Sequence, residues 1–239
     1  MLSVIILLSL VLLISLLYKR NYERFNLTND NRKAELMFIH IPKNAGTSIE
    51  VAAKKYGIMW GLYYDFKKHG INRKNENINV SVWHIPPKIL KNNKGYEVYF
   101  KKKVPFCVVR NPYERAVSEY KYHNNLYKIP ISKQGLNEFI TTIESRLNRD
   151  ICDFGCHFIP QSEYIYGYNN NKVSEILRFE NLETDFKKLC LKYNYPNIKL
   201  EKINKTGKVV TINDLNSESI KTINKIYKKD FINFNYEMK

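Results

Sequence analysis

Leu36-Met37-Phe38-Ile39-His40-Ile41-Pro42-Lys43-Asn44-Ala45-Gly46-Thr47-Ser48-Ile49-Glu50 contains, in order, a strand, a tight turn and the start of a helix. Residues 36–41 are almost continuously apolar, the pattern of a parallel strand covered on both faces. Pro42 stops the run, and from Thr47 to Tyr56 the apolar residues Ile49, Ala52, Ala53 and Tyr56 fall at helical spacing. A helix start leaves backbone N–H groups unpaired and carries a partial positive charge, so a turn leading into it suits an anion. Ala45 and Gly46 allow close backbone approach, Thr47 and Ser48 add hydroxyl donors, and Lys43 adds a full charge. Read blandly, Thr47 caps the helix and Lys43 is solvated. With a single glycine, and with Lys43 ahead of it, the stretch is not a Walker A loop, so no magnesium chemistry is implied.

A second unit of the same kind starts at Val104-Pro105-Phe106-Cys107-Val108-Val109, a second buried strand. Arg110 follows at its C-terminal end, where open α/β sheets place ligands, and a guanidinium suits bidentate phosphate contact. Asn111-Pro112 is an N-cap and N1 pair, and the helix it opens is predicted to reach about Tyr122. Ser118 lies two turns into that helix and, read alone, is an ordinary exposed serine. Arg115 reads as a surface or structural ion-pair residue. Further along, 137–147 is helical, 174–179 is a third strand, and 182–193 and 217–231 are helices, the last amphipathic. A polar stretch at 65–79 reads as a loop. Strands alternating with helices predict an α/β domain with a parallel sheet.

The 239 residues carry 39 basic and 23 acidic side chains, net +16, and the domain from Ala34 onward keeps +13. Such an excess favours a polyanionic partner: nucleotide, acidic glycan, anionic membrane or nucleic acid. Residues 2–17 are apolar apart from three serines, which predicts a membrane anchor at 1–18, or an uncleaved signal, followed by a polar stem at 19–34 and a domain at 35–239. Lys19 and Arg20 follow the apolar run, and the positive-inside rule would leave the domain cytoplasmic. Sequons at Asn26, Asn79 and Asn204 are compatible with a lumenal one. Four cysteines are too few for a disulfide scaffold. Cys107 and Cys190 read as core thiols. Cys152 and Cys156 could form a local disulfide, and no second pair completes a zinc site.

The Pro42–Ser48 turn, with Arg110 and, eight residues on, Ser118, resembles the sulfotransferase superfamily. Trp83-His84-Ile85-Pro86-Pro87, His157-Phe158-Ile159-Pro160-Gln161, Arg178-Phe179-Glu180-Asn181-Leu182 and Tyr227-Lys228-Lys229-Asp230-Phe231 resemble its Golgi carbohydrate branch, in order, from about residue 36 to 236. The resemblance implies a P-loop-like three-layer α/β fold, a central parallel sheet between helices, behind an N-terminal anchor. It also implies a sulfuryl donor, 3′-phosphoadenosine-5′-phosphosulfate. Its 5′-phosphosulfate would lie in the turn of Lys43, Asn44, Ala45, Gly46, Thr47 and Ser48, its 3′-phosphate on Arg110 and Ser118. No metal is implied. The acceptor would be a hydroxyl of an acidic or neutral oligo- or polysaccharide, such as a glycosaminoglycan-like chain, and not nucleic acid. The compartment would be the lumen of the Golgi or endoplasmic reticulum.

Sulfuryl transfer implies positive charge where the departing phosphate gains negative charge, a role for Lys43. It also implies a general base for the acceptor hydroxyl, for which His84 is the candidate. His40 reads as a packed core histidine and His157 as a structural one. Glu180 reads either as orienting a neighbour or as a helix-start carboxylate. Asn204-Lys205-Thr206-Gly207-Lys208 reads either as a loop over the nucleotide or as a solvated basic loop. The lysine pairs and triplet at 67–68, 101–103, 187–188 and 228–229 are ordinary solvated faces singly and together fit an acidic acceptor. Competing readings are a nucleotide kinase, a non-catalytic glycan- or nucleic-acid-binding module, and a tyrosine-protein sulfotransferase.

Overall fold

In the computed structural model of the chain, residues 10–17, 33–61, 82–87, 103–165, 173–201 and 209–239 are described. Three parallel strands form one sheet: β1 (Glu35–Ile39) pairs with β2 (Lys103–Val109), which pairs with β3 (Glu175–Arg178). Phe38 stands beside Phe106, and Cys107 beside Ile176. Pro105 is tolerated in the middle strand because β3 joins only from Phe106, so the missing N–H breaks no pairing on that side.

Alternate side chains go to opposite faces, and both faces are covered, which is why the strands read as unbroken apolar runs. On one face Leu36, Phe38, Phe106, Val108 and Leu177 pack against α1 (Gly46–Lys54), Trp60 and α4 (Leu182–Lys192). On the other, Met37, Ile39, Cys107 and Val109 pack against Ile85, Ile159, Tyr164 and Phe234. A third cluster joins α2 (Pro112–Tyr127) and α3 (Lys133–Arg149) to α5 (Ser217–Ile226) and α6 (Lys228–Phe234). The result is a parallel sheet flanked by helices. All three strands deliver their C-terminal ends to one edge, where residues 40–45, Arg110 and Phe179–Asn181 follow.

Some boundaries differ from expectation. The α2 helix runs to Tyr127, beyond Tyr122, because its end is set by Lys128 at φ 56 and by buried Asn124, whose amide donates to Pro130 O at 3.0 Å. Neither leaves an apolar period. The single C-terminal helix expected over 217–231 is two. The chain turns at Tyr227 so that its hydroxyl donates to Phe158 O (3.1 Å) and Asp230 enters the core. Cys152 and Cys156 are disulfide-bonded, and Cys107 and Cys190 are buried thiols pushed up by burial to about 12 and about 11.

Residues 10–17 are helical. Among the described residues no helix is long and apolar enough to cross a membrane. Most of the expected anchor and stem, the sequon positions Asn26, Asn79 and Asn204, the loop at 65–79, the lysines at 67–68 and 101–102, and all of 204–208 lie outside the described residues.

Candidate active site

The first turn grips with its backbone. Lys43 (φ 67) and Ala45 (φ 63) are left-handed, with Asn44 between them. Alternation of this kind turns successive N–H groups to one side, a cradle for an anion. α1 opens from Ala45 with no side-chain cap. Thr47 is therefore not the cap: it lies inside the first turn, and the N–H groups at the helix start remain available. Gly46 has a reason beyond backbone approach. A Cβ there would sit 2.2 Å from the ring of His40, which lies just past β1.

The second turn grips with side chains. Asn111 caps α2 as expected, accepting from Tyr113 N (3.0 Å) with Pro112 at the first position. Arg110 stacks on the Phe179 ring (4.1 Å), and its Nη1 donates to Lys43 O (3.3 Å) while its Nη2 meets Glu114 (3.4 Å). Its Nε is buried without a hydrogen-bond partner among the described residues. Burial pushes the guanidinium below its ordinary value, and Glu114 and Glu180 pull it back.

Both turns open onto one cleft of about 780 Å³, a volume ordinary for a small-molecule site. Lys43, the Ala45–Ser48 turn, Arg110 and Ser118 line it, with Phe179, Leu182 and Leu200 as an apolar wall. Asn44 and His84 do not. Asn44 is buried, and its amide donates to Val108 O (2.8 Å) and Gln161 Oε1 (2.7 Å), so its side chain builds the turn. Arg115 is not on the surface and, among the described residues, has no ion-pair partner. It is buried, donating from Nε to Pro42 O (3.2 Å) and from Nη2 to His157 O (2.7 Å). Carboxylates also line the cleft: Glu180 accepts from Asn111 N (2.8 Å) and from the Tyr236 hydroxyl (2.9 Å), and Glu201 pairs with Lys55.

A family model described as the sulfotransferase family matches residues 26–237. The chain belongs to the sulfotransferase family. No curated protein and no solved structure matches it. Membership makes it a sulfuryl-group transferase, for which 3′-phosphoadenosine-5′-phosphosulfate is the usual donor.

Beside the cleft this sulfotransferase holds a column of three imidazoles. His84 ends the turn Val82–His84, with its ring centroid 4.6 Å from those of His40 and His157, each edge-on. The flanking rings are anchored through Nδ1: His40 to Glu50 Oε1 (2.9 Å), His157 to both oxygens of Glu119 (2.9 and 3.1 Å). Both carboxylates are buried, and Trp83 Nε1 also donates to Glu50 (3.0 Å). The Tyr164 hydroxyl lies within hydrogen-bond distance of His84 O (3.0 Å) and Cys156 O (2.9 Å), which pins the turn.

Burial pushes His84 well below the ordinary histidine value, and the neighbouring His40, His157 and Lys43 add to the push. The Gly155 backbone opposes them. A neutral imidazole keeps one unprotonated ring nitrogen, able to accept a proton. Lys43 lies over the Tyr122 ring (3.9 Å). Burial lowers its ammonium, Glu119 opposes this, and Arg110 adds to it.

Sequence reasoning assigned no role to Glu50, Glu119, Gln161 or Asp230. Each is buried and acts through a partner in another part of the fold; the signals available were a carboxylate or amide inside an apolar pattern and, for Gln161 and Asp230, their place in two of the family-like stretches. Among the described residues no cluster of three or more His, Cys, Asp or Glu is arranged to hold a metal.

Proposed function

We propose that the chain transfers a sulfuryl group from 3′-phosphoadenosine-5′-phosphosulfate to a carbohydrate hydroxyl, with Lys43 and His84 as its catalytic residues. The observation that carries this reading is the single cleft shared by an uncapped helix start and Arg110. The residues fit the donor. N–H groups at Gly46, Thr47 and Ser48, unpaired among the described residues, suit the 5′ end, and Arg110 with Ser118 suits the 3′-phosphate. Bound there, the donor supplies a sulfuryl group carried on a phosphate leaving group.

Lys43, at the rim of the first turn, holds positive charge where negative charge grows, so its attraction is strongest in the transition state. His84, neutral at pH 7, takes the acceptor's hydroxyl proton on its free ring nitrogen. Glu50 and Glu119 fix the rings on either side and so fix where that nitrogen points. The basic clusters favour an acidic, glycosaminoglycan-like acceptor. Attachment to a Golgi or endoplasmic reticulum membrane through residues 1–18, with the domain in the lumen, belongs to the same proposal and is supported by the apolar N-terminus and the sequons.

The test separates binding from transfer. In calorimetry with 3′-phosphoadenosine-5′-phosphate, His84→Ala keeps the wild-type affinity. In a radiolabelled sulfate transfer assay on a glycan panel it loses about 10²–10⁴-fold in rate. Because His84 is lowered, it stays unprotonated as the pH falls through 6.5, and the wild-type rate stays level there. Full turnover in His84→Ala would reassign the base.

A further inference from the structure

Two buried side-chain amides, Asn44 and Gln161, lie between the anion turns, line no part of the cleft, and are hydrogen-bonded to each other although 117 residues apart. Gln161 holds residue 110 from both sides: its Oε1 accepts from Arg110 N (2.9 Å) and its Nε2 donates to Arg110 O (2.8 Å). This is the pairing a neighbouring strand would give, supplied by one side chain beyond the end of β2. The same Oε1 accepts from Asn44 Nδ2 (2.7 Å), whose second N–H goes to Val108 O (2.8 Å). One atom of Gln161 thus joins the backbone of the second turn to the side chain of the first.

Neither amide can be turned over. Reversing Asn44 would set its oxygen against Val108 O and Gln161 Oε1, and reversing Gln161 would set its NH2 against Arg110 N and Asn44 Nδ2. Gln161 is itself anchored. Its N–H and that of Ser162 donate to the two oxygens of Asp230, both at 2.8 Å, and Asp230 and Gln161 are fully buried. The fixed chain therefore runs from α6 through Asp230 to Gln161, and from there to both turns.

We propose that the Asn44–Gln161 amide pair sets the span between the two anion turns and so selects a nucleotide phosphorylated at both its 3′ and 5′ oxygens over one with a single phosphate. The proposal rests on the two-turn reading above, and makes Asn44 and Gln161 positioning residues. A ligand held at two points gains from the second point only if its length matches the span, and loses that gain when the span drifts. Two other links cross the gap, Arg110 Nη1 to Lys43 O (3.3 Å) and Arg115 Nε to Pro42 O (3.2 Å). Both depend on the long, many-jointed side chain of an arginine, whereas the amide pair joins the short Asn44 side chain to a Gln161 side chain clamped on the Arg110 backbone.

The test is calorimetry of the full chain with three probes: 3′-phosphoadenosine-5′-phosphate, adenosine 5′-phosphate and adenosine 3′-phosphate. Gln161→Glu places an oxygen against Arg110 O at unchanged volume. It is expected to weaken the bisphosphate about tenfold or more while each monophosphate stays within about threefold, because only the doubly held ligand senses the span. Thermal melting confirms that the variant folds. Asn44→Ala, which leaves the clamp on residue 110 intact, is expected to show the same pattern at smaller size and decides the matter if Gln161→Glu does not fold. Equal weakening of all three probes, or none, would overturn the proposal and leave the two-turn reading standing. A wild-type chain that binds the bisphosphate no better than the monophosphates would instead remove the two-turn reading itself.

Discussion

The two turns at the sheet edge do one job by opposite means. The first, 43–48, presents main-chain N–H groups held in shape by left-handed Lys43 and Ala45. The second presents a side chain, Arg110, flattened on Phe179 and already partnered by Glu114. A main-chain grip survives the loss of side chains but fails when its conformation is disturbed. A side-chain grip fails with one substitution and leaves the fold alone. The first turn is accordingly braced along its length. Pro42 O, Lys43 O and the Asn44 amide are each tied to residues of the second strand–helix unit or to Gln161. Those ties offset left-handed backbone that costs roughly 1–2 kcal/mol at each non-glycine residue.

The contrast can be broken first at Gly46. In Gly46→Ala the new methyl meets the His40 ring, which must move off Glu50. Overpacking of this kind costs about 1–3 kcal/mol, so we expect the melting temperature to fall by about 5 °C. Nucleotide affinity and transfer should fall together, as the turn and the imidazole column share that ring. The contrast is sharpened at Thr47. The helix start is not capped by it, and the grip is made by N–H groups, so Thr47→Ala should change bisphosphate affinity by no more than about threefold and leave melting within about 1 °C. A large loss there would mean the hydroxyl, not the backbone, holds the anion.

What could be read from the sequence was local. The strand–turn–helix units, the Asn111–Pro112 cap, the buried Cys107 and the positions of Lys43 and Arg110 all follow from spacing within a dozen residues. What escaped was set by contacts made only in the folded chain, most of them with partners far along it. Asn44 reads as a ligand residue until Gln161 is beside it, and Arg115 reads as a surface or structural ion-pair residue until the carbonyls of Pro42 and His157 are in reach. Glu50 and Glu119 look like ordinary helical carboxylates until His40 and His157 face them in the interior. The helix break at Tyr227 has the same origin, since its hydroxyl and Asp230 are drawn toward 158–162.

The central claim is that one nucleotide bridges the two turns, its 3′-phosphate on Arg110. Titration of wild type and Arg110→Ala with 3′-phosphoadenosine-5′-phosphate and with adenosine 5′-phosphate tests it most directly. Charge-assisted hydrogen bonds are worth about 1.5–3 kcal/mol each, so Arg110→Ala should weaken the bisphosphate about a hundredfold and leave adenosine 5′-phosphate unchanged. Equal losses for both nucleotides, or no loss for either, would contradict it.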